Sequence, residues 1–519
     1  MIRNFLIVGG WTMLSRLLGL VRDQLLAACM GAGFAQDAYQ VAVRLPNMLR
    51  RLFGEGAFNA AFVPLFSEAM VHEGAVEARL FARHVLGIML VWLVVLCVIG
   101  ELIMPQILRV IAPGFAYEGA RYDLAVYLSR ITFPYFVLIC AAALVAAVLN
   151  GLHRFTMASA AYLAFNVVGI GAIFIGVWYG PSVAIAAAWG VTCSGVVQLG
   201  LLLWACTRAG FPLMPLWSLS TPRIRLLLRR MVPGLVGSGI SQINLTIDTI
   251  IGTLLPTGSV SVMYFADRIN QLPLGVLGAA VGTTLLPVLA KHLAAGENGA
   301  AHAVQNRSID YVLLLTLPAV IGLMVLSDPI MMVLFRHGSF STHDAILSAQ
   351  SLRAYALGLP AFVMVKVLTP AFFARGDTRT PVYIGILVLV VNLILNLILM
   401  KPLAHVGPPL ASSLAGMLNV GVLFFLLWRN AALVIPVSMI RRLACVFLAA
   451  LLMGGGVAGM CYLLPMPENF IKQVFWLGGV IAFGAVSYLF LLVLLRVFKM
   501  AYVRAIVQQY VLGQSSMQK

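Results

Sequence analysis

Residues 380–401 read TPVYIGILVLVVNLILNLILMK, with no acidic or basic side chain before the final lysine. A helix of about 20 apolar residues is long enough to cross the hydrocarbon core of a bilayer. The rest of the chain shares this character, since 62% of its 519 residues are hydrophobic and only 10% are charged. Soluble domains carry roughly 25% charged residues, so this composition could not cover a globular surface. It predicts an integral membrane protein.

Hydrophobic runs between glycine, proline and charge breaks predict about fourteen spanning helices. The first run lacks the pattern of a cleaved signal, because Gly9, Gly10 and Ser15 interrupt it, and we expect it to be retained. We therefore predict an all-α polytopic membrane protein. The predicted spans are 5–28, 37–68, 80–105, 123–149, 159–179, 184–207, 226–254, 260–290, 308–327, 347–373, 380–401, 408–428, 438–464 and 471–497.

The distribution of lysine and arginine predicts the orientation of these spans, because short cytoplasmic loops are enriched in both residues. Most basic residues that lie outside the spans or at their ends stand at the termini or in the regions after even-numbered spans, as in the run Arg223, Arg225, Arg229 and Arg230. Both termini are therefore predicted to be cytoplasmic. The loops after odd-numbered spans hold only Arg109, Arg121, Arg336, Lys401 and Lys472.

The chain repeats itself at an offset of about 225 residues. An offset of six spans preserves orientation, so we predict two parallel six-helix repeats, an architecture typical of transporters. The predicted lobes are 1–210 and 211–432, and 433–519 adds two transmembrane helices and a cytoplasmic tail. The matching pairs include Asp23 with Asp248, Tyr39 with Tyr264, Gly114 with Gly338, Pro134 with Pro360, and Gly151 with Gly376.

Ionisable residues inside the predicted spans are the main functional signal, because a charge within a bilayer is expensive and indicates function by default. Arg51 and Glu55, spaced i, i+4, would form a structural pair. The surplus of arginine that remains predicts a cavity for an anion, since guanidinium groups bind phosphate bidentately. For any single arginine, structural pairing or snorkelling to the interface is the alternative. The charges of the first two spans are Arg16, Arg22, Asp23, Asp37, Arg44, Arg50, Arg51 and Glu55.

Several function classes are disfavoured. No Gly-Lys dipeptide occurs, so there is no P-loop for ATP, and no hydrolase motif is present. The seven cysteines are scattered without a C-x-x-C pattern, which favours neither a disulfide framework nor a metal site. The net charge of +17 does not indicate nucleic-acid binding, because the basic residues flank or lie within spans. A polymerase or glycosyltransferase would need paired carboxylates in a non-cytoplasmic loop, which 105–122 and 328–346 do not offer.

The order of residues in the first two spans carries a family resemblance. It runs from Ser15-Arg16-Leu17-Leu18-Gly19 and Arg22-Asp23 to Leu49-Arg50-Arg51-Leu52-Phe53-Gly54-Glu55-Gly56-Ala57-Phe58. Further along stand Tyr264-Phe265-Ala266-Asp267-Arg268 and Ala374-Arg375-Gly376-Asp377-Thr378-Arg379-Thr380-Pro381. Over essentially its whole length the chain resembles the MviN/MurJ family, the lipid II flippases of bacterial peptidoglycan synthesis.

The resemblance implies the fold of the multidrug/oligosaccharidyl-lipid/polysaccharide exporter superfamily. It implies a flippase that moves lipid II, an undecaprenyl-pyrophosphate-linked precursor, from the inner to the outer leaflet of the cytoplasmic membrane by alternating access. We expect no enzymatic activity, no cofactor and a functional monomer, with coupling to the membrane potential or a monovalent cation. Cell-wall synthesis enzymes are the expected partners.

The resemblance also assigns roles to individual residues. Arg16, Arg22 and Arg50 match functional arginines of the family, and Arg44 stands where some relatives carry lysine. The alternatives are a flippase for another polyprenyl-linked saccharide, or a drug/cation antiporter of the same superfamily, whose cavity would be acidic instead of basic. The expected substrate-binding residues are Arg16, Arg22, Arg50, Arg44 and Asp37; the gate or lobe contacts are Arg51, Glu55, Arg268 and Asp267. Asp248 would be a cation site or a structural partner of Asn244.

Overall fold

The structure is a computed structural model that describes residues 2–116, 119–180, 182–217, 221–282 and 285–497. These residues are predominantly helical, and no strand occurs among them. The predicted all-α membrane class is thereby confirmed. The first helices are α1 (Ile2–Met30), α2 (Phe34–Arg50), a π-helical segment (Arg51–Gly56), α3 (Ala57–His72), α4 (Ala75–Leu102), α5 (Met104–Ile111), α6 (Ala120–Thr132), α7 (Tyr135–Gly151), α8 (Phe155–Trp178) and α9 (Val183–Arg208).

The second part of the chain continues in the same way. It contains α10 (Pro222–Leu254), α11 (Ser259–Gly282), α12 (Leu285–Ala294), α13 (Asn298–Phe335), α14 (Thr342–Phe373), α15 (Arg379–Leu403), a short 3₁₀ turn (Ala404–Val406), α16 (Gly407–Arg429), α17 (Val437–Leu463) and α18 (Phe470–Leu494). Side chains cap several of these helices. Thr221 accepts a hydrogen bond from the Ile224 amide, and Asn469 accepts one from the Ile471 amide, so α10 and α18 begin where the sequence supplies an oxygen.

The predicted spans coincide with the helices, but four of them are interrupted, and span 80–105 is interrupted near its end, at Ile103 between α4 and α5. The π-helical segment divides span 37–68, and the turn at Phe133 and Pro134 divides span 123–149 into α6 and α7. Span 260–290 is divided between α11 and α12. Among the described residues, nine helical segments are long and apolar enough to cross a membrane, and one of them, Arg379–Arg429, covers two predicted spans. The predicted count of fourteen is therefore not confirmed.

The described residues form two compact units. The first comprises 1–265, 335–344 and 400–405, and the second comprises 266–334, 345–399 and 406–519. This grouping does not test the predicted lobe boundaries at 210 and 432, which remain a prediction. A stack of phenylalanine rings lies in the core of the first unit, where Phe62 stands 5.1 Å from Phe58 and 5.6 Å from both Phe66 and Phe81. Aromatic pairs at such distances add to the stabilisation from burial.

The second unit joins the last two helices to α13. The Tyr488 hydroxyl of α18 donates a 2.7 Å hydrogen bond to the Leu314 carbonyl, and Gly454 of α17 lets the Ile321 side chain approach closely. At one end of α17, Arg442 forms a 2.8 Å ion pair with Asp310. The two C-terminal helices are thus fastened by polar contacts as well as by packing of small against large side chains, as is usual between helices in membranes.

Candidate functional site

Arg22 in α1 lies inside the first unit. Its guanidinium contacts Asp23 Oδ1 through Nη2 at 2.8 Å and Nε at 3.2 Å, and it stacks 4.8 Å from the centre of the Phe165 ring. Asp23 is fully buried and also accepts a 3.2 Å hydrogen bond from the Tyr264 hydroxyl. A buried carboxylate needs a nearby cation, so this pairing allows both charges to remain in the apolar helix bundle.

Glycines make the space for this arginine. A Cβ atom at Gly169 of α8 would stand 3.1 Å from Arg22 Cδ, and one at Gly190 of α9 would stand 2.6 Å from the Ala172 methyl group. Small residues at these positions allow α8 and α9 to approach each other and leave a narrow crevice. Arg22 and Tyr39 line that crevice together with Phe165, Gly169, Ile173, Ala187, Gly190 and Val191.

Asp37 in the first turn of α2 is fully buried and holds four donors. Its Oδ2 accepts hydrogen bonds from the Arg121 guanidinium and, at 2.7 Å, from the Gly258 amide. Its Oδ1 accepts bonds from the Ser261 amide at 2.9 Å and the Ser261 hydroxyl at 2.6 Å. Arg121 also stacks 4.0 Å from the centre of the Phe115 ring. We call Asp37, Arg121, Gly258 and Ser261 the Asp37 clamp; it joins α2 to the starts of α6 and α11.

Four chain reversals, all after odd-numbered predicted spans, meet around this clamp within the first unit. Gly31 (φ +61°) packs against the Ser339 carbonyl, and the Ser339 amide donates a 2.7 Å bond to the Ala28 carbonyl. The amide of Gly114 lies 3.4 Å from the Thr253 hydroxyl. Gly114 packs against the Thr253 backbone, and Gly338 packs against the Ala28 backbone. In the repeat, Gly114 corresponds to Gly338 and Ala28 corresponds to Thr253, so the two contacts are equivalent.

Gly258 is one of the sensitive points of this assembly. Its φ is +95°, and a Cβ atom there would overlap the Ala32 carbonyl oxygen. We expect Gly258→Ala to lower the free energy of unfolding by about 2–5 kcal/mol, the sum of left-handed strain and overpacking. Gly296→Ala is the matched control: its φ is +73° with nothing within 4 Å, so only strain of about 1–2 kcal/mol is expected. Thermal unfolding in one detergent compares them, and equal losses would contradict the close contact.

The other predicted substrate-binding arginines occupy separate positions on α1 and α2. Arg44 Nη2 donates a 2.7 Å bond to the Leu245 carbonyl of α10, and Arg50 Nε donates a 3.3 Å bond to Asn47 Oδ1. Arg16 is half-buried, and no carboxylate of the described residues forms an ion pair with it. On the same turn, Asn166 of α8 donates to the Ser15 carbonyl at 2.8 Å. Arg44 and Arg16 thus add positive charge that the described carboxylates do not pair.

The predicted gate residues are only partly described. Arg51 and Glu55 fall in the π-helical segment, whose backbone no longer has the i, i+4 geometry assumed for their pairing. The Glu55 side chain lies outside the described residues, so this pair remains a prediction. Asp267 accepts a 2.5 Å bond from Gln271 on α11, next to the half-buried Arg268.

The predicted cation position also remains a prediction. Asp248 is half-buried on α10, one turn from Asn244. Among the described residues, no group of three His, Cys, Asp or Glu side chains could hold a metal ion.

Sequence reasoning missed the partners of the two buried carboxylates. The sequence identified Arg121 only as a charged loop residue, although it binds Asp37, which lies 84 residues away in the chain. Tyr264 was named only in a repeat pair and in a family motif, although its hydroxyl donates a hydrogen bond to Asp23. One signal was available: Tyr264 and Arg121 are polar groups in or beside apolar segments, where an unsatisfied polar group is costly.

Comparisons with known proteins agree with these features. The family model described as Lipid II flippase MurJ matches residues 26–501. A protein of Rhizobium tropici named "Probable lipid II flippase MurJ" is 38% identical over 507 residues, covering 92% of this chain and 95% of the relative. A protein of Vibrio cholerae serotype O1 with the same name is 35% identical over 518 residues, covering 96% of each chain.

Solved structures extend the comparison. The structure described as "Lipid II flippase MurJ, inward closed conformation" has a TM-score of 0.79 and 26% identity, covering 94% of this chain and 98% of its own. An inward-facing multidrug resistance MATE family transporter of the MOP superfamily has a TM-score of 0.71 and 14% identity, covering 80% of this chain and 94% of its own. At that identity, the second similarity concerns the fold alone.

Proposed function

The chain belongs to the lipid II flippase MurJ family, and from that premise we propose that it translocates lipid II across the cytoplasmic membrane by alternating access. One observation supports this most directly. Of the two carboxylates that are fully buried among the described residues of the first unit, Asp37 is occupied by the Asp37 clamp, and Asp23 faces Arg22. The positive charge of Arg16 and Arg44 is therefore left over in an apolar setting, where an anionic substrate would stabilise it.

The pyrophosphate of lipid II matches this surplus of guanidinium groups. Arg22 can bind an oxyanion edge-on, as it now binds Asp23, because its planar fork is held against Phe165. Arg44 now donates to a backbone carbonyl, and a phosphate oxygen would be a stronger acceptor. We propose that Arg16, Arg22, Arg44 and Arg50 bind the pyrophosphate. The sugar-peptide head would occupy a polar space beside these arginines, and the lipid tail would remain in the bilayer.

The Asp37 clamp is the proposed closure on the side opposite the cytoplasm. Charge-assisted hydrogen bonds to backbone amides keep the reversals after odd-numbered predicted spans together, and release of the head group on that side requires those bonds to break. Asp37 would then contact substrate only after the clamp opens. Arg51, Glu55, Asp267 and Arg268 are proposed as further gate or lobe contacts.

The remaining assignments are proposals of the same kind. The protein is a multi-pass inner-membrane protein, and we propose that both termini are cytoplasmic, from the distribution of lysine and arginine. We propose that it acts as a monomer, without enzymatic activity, ATP or cofactor, and that it works with cell-wall synthesis enzymes. The membrane potential acting on the charged cavity, or a monovalent cation at Asp248, would supply the energy.

The test uses spheroplasts and an externally added enzyme that cleaves the lipid II head group. Cells with the protein should expose lipid II to cleavage, and cells depleted of it should protect lipid II almost completely. Full accessibility in depleted cells that lack another flippase would contradict the substrate assignment and leave another polyprenyl-linked saccharide as the cargo. Restored cleavage after re-expression controls for secondary effects of depletion.

A further inference from the structure

A cavity of about 520 Å³ lies in the second unit, where three connections after even-numbered predicted spans come together. This is a size typical of small-molecule sites. Its wall consists of the first turn of α13, the end of α14 with the following turn, and the end of α16 with the following turn. The lining residues are Asn298, His302, Phe372, Arg375, Asp377, Leu427, Asn430, Ala431 and Ala432.

The internal repeat explains why the cavity exists. The turns after α9 and α16 share the same hydrogen bonds at an offset of 221: Phe211 N to Cys206 O at 2.9 Å, and Ala432 N to Leu427 O at 2.8 Å. In both turns the residue before the hydrogen-bonded amide has a positive φ, which is +75° at Gly210 and +51° at Ala431. The equivalent residues that follow are Phe211 in the first unit and Ala432 in the second.

In the first unit an aromatic ring fills the corresponding space. Phe211 is buried and meets Phe66 edge-on at 5.9 Å, and a Cβ atom at Gly151 would stand 2.7 Å from the Phe66 ring. In the second unit, a Cβ atom at Gly376, in the turn after α14, would meet nothing within 4 Å. Replacement of one phenylalanine by Ala432 therefore leaves apolar room that the chain itself does not occupy.

The rim of the cavity favours an oxyanion. Arg375 donates through Nη1 to the Ala371 carbonyl at 2.7 Å and through Nη2 to the Ala432 carbonyl at 2.9 Å, which holds its guanidinium at the cavity and leaves three N–H groups. Asn298 and His302 lie in the first turns of α13, whose amino end carries partial positive charge.

The one carboxylate on the rim has its own donors. Asp377 Oδ1 accepts hydrogen bonds from the amides of Arg379 and Thr380 at 3.1 and 3.0 Å, and bonds from Thr380 hold the pKa of this carboxyl below its ordinary value. Its negative charge is therefore stabilised by the start of α15, and it does not need Arg375 as a partner.

We propose that this cavity binds a phosphate ester with an apolar portion, a second ligand site separate from the one for the translocated substrate. The phosphate would be held by Arg375, His302 and the side-chain amide groups of Asn298 and Asn430, and the apolar portion would fill the space beside Phe372, Leu427 and Ala432. Basic pockets between membrane helices on the cytoplasmic side commonly hold anionic lipid head groups.

The test is a binding titration of the purified, delipidated full-length protein in detergent, by native mass spectrometry. The probes are dioctanoyl phosphatidylglycerol, dioctanoyl phosphatidylcholine and inorganic phosphate. Ala432→Phe places in the second unit the ring that Phe211 supplies in the first, and it should weaken binding about tenfold or more. Ala295→Phe adds the same ring at an exposed position near the start of α13 and should bind like the parent.

A second variant guards against misfolding of the first. His302→Leu alters a half-exposed side chain at the rim and should weaken binding about tenfold, the effect of losing one hydrogen bond to a charged group. Saturable binding of phosphatidylglycerol but not inorganic phosphate would identify a lipid as the source, and equal binding of both would identify a soluble phosphate. The proposal fails if no probe saturates, or if both cavity variants bind like the parent. Lipid II translocation by Ala432→Phe is measured in parallel, so loss at this site is distinguished from loss of the flippase.

Discussion

Replacement of Arg22 by alanine is expected to abolish lipid II translocation and to destabilise the protein at the same time. The first effect follows from removal of a guanidinium that the substrate's pyrophosphate would bind. The second follows from Asp23, which is fully buried and would lose the cation that stands 2.8 Å from its Oδ1. Breaking a buried ion pair by removing one partner costs about 3–5 kcal/mol. A simple alanine substitution therefore cannot separate a role in transport from a role in folding.

A second substitution separates the two roles. In Arg22→Ala/Asp23→Asn no buried charge is left without its partner, and the asparagine can still accept the Tyr264 hydrogen bond. We expect this double variant to recover most of the lost stability and to remain inactive. Arg22→Lys keeps the charge but loses the planar fork over Phe165, so it should fold and transport at a reduced rate.

The measurement combines thermal unfolding with the spheroplast cleavage assay on equal amounts of inserted protein. The expected order of activity is parent, then Arg22→Lys, with Arg22→Ala and the double variant both inactive. Normal transport by the double variant would show that Arg22 serves only to neutralise Asp23. Asp23→Asn alone is the matched control, because it leaves the guanidinium in place beside a neutral partner.

The fold was predictable from the sequence where a single physical rule decides it. Uncharged runs such as 380–401 must be helical in lipid, because backbone groups there have no water to bind, and the helices found match these runs closely. The breaks were not predictable from hydropathy. Gly54 and Gly56 interrupt the predicted span 37–68 at the π-helical segment, but hydropathy does not indicate a π-helix there. The helices α6 and α7 are divided at Phe133 and Pro134 inside an apolar stretch. Such breaks depend on tertiary neighbours, which hydrophobicity does not encode.

The site was predictable in kind but not in pairing. Excess arginine within spans indicated anion binding, but adjacent residues on a helix project about 100° apart, so the sequence did not indicate that Arg22 pairs with Asp23. The structure joins them, because the long arginine side chain can fold back to the adjacent carboxylate. The contact of Asp37 with Arg121 spans 84 positions, and with Ser261 it spans 224. No periodicity within a helix reports on contacts at such separation.

Asp37→Asn is expected to loosen the clamp more than removal of its Arg121 partner does. An asparagine keeps one acceptor for Ser261, but its amide group would present hydrogens to the Arg121 and Gly258 donors. Loss of about 2 kcal/mol, a low estimate for bonds to a charged group, should speed hydrogen exchange at Gly258 and Ser261 roughly 30-fold. Arg121→Ala should act in the same direction but less, because Asp37 keeps its bonds to Gly258 and Ser261.

Hydrogen exchange with mass spectrometry over residues 255–262 measures this order. Asp344→Asn is the control, since Asp344 is a half-buried carboxylate of the same unit that accepts a 2.9 Å bond from the Ser341 amide, and only residues near 341 should respond. Equal effects of Asp37→Asn and Asp344→Asn would contradict the clamp.

If the clamp is the closure of the transport cycle, its strength must lie within limits: strong enough to exclude lipid II from the wrong side, yet weak enough to open. Asp37→Asn should therefore lower the rate of lipid II translocation, because it shifts the population towards the form in which the clamp is open. If Asp37→Asn loses transport while hydrogen exchange at residues 255–262 is unchanged, Asp37 acts in substrate binding instead.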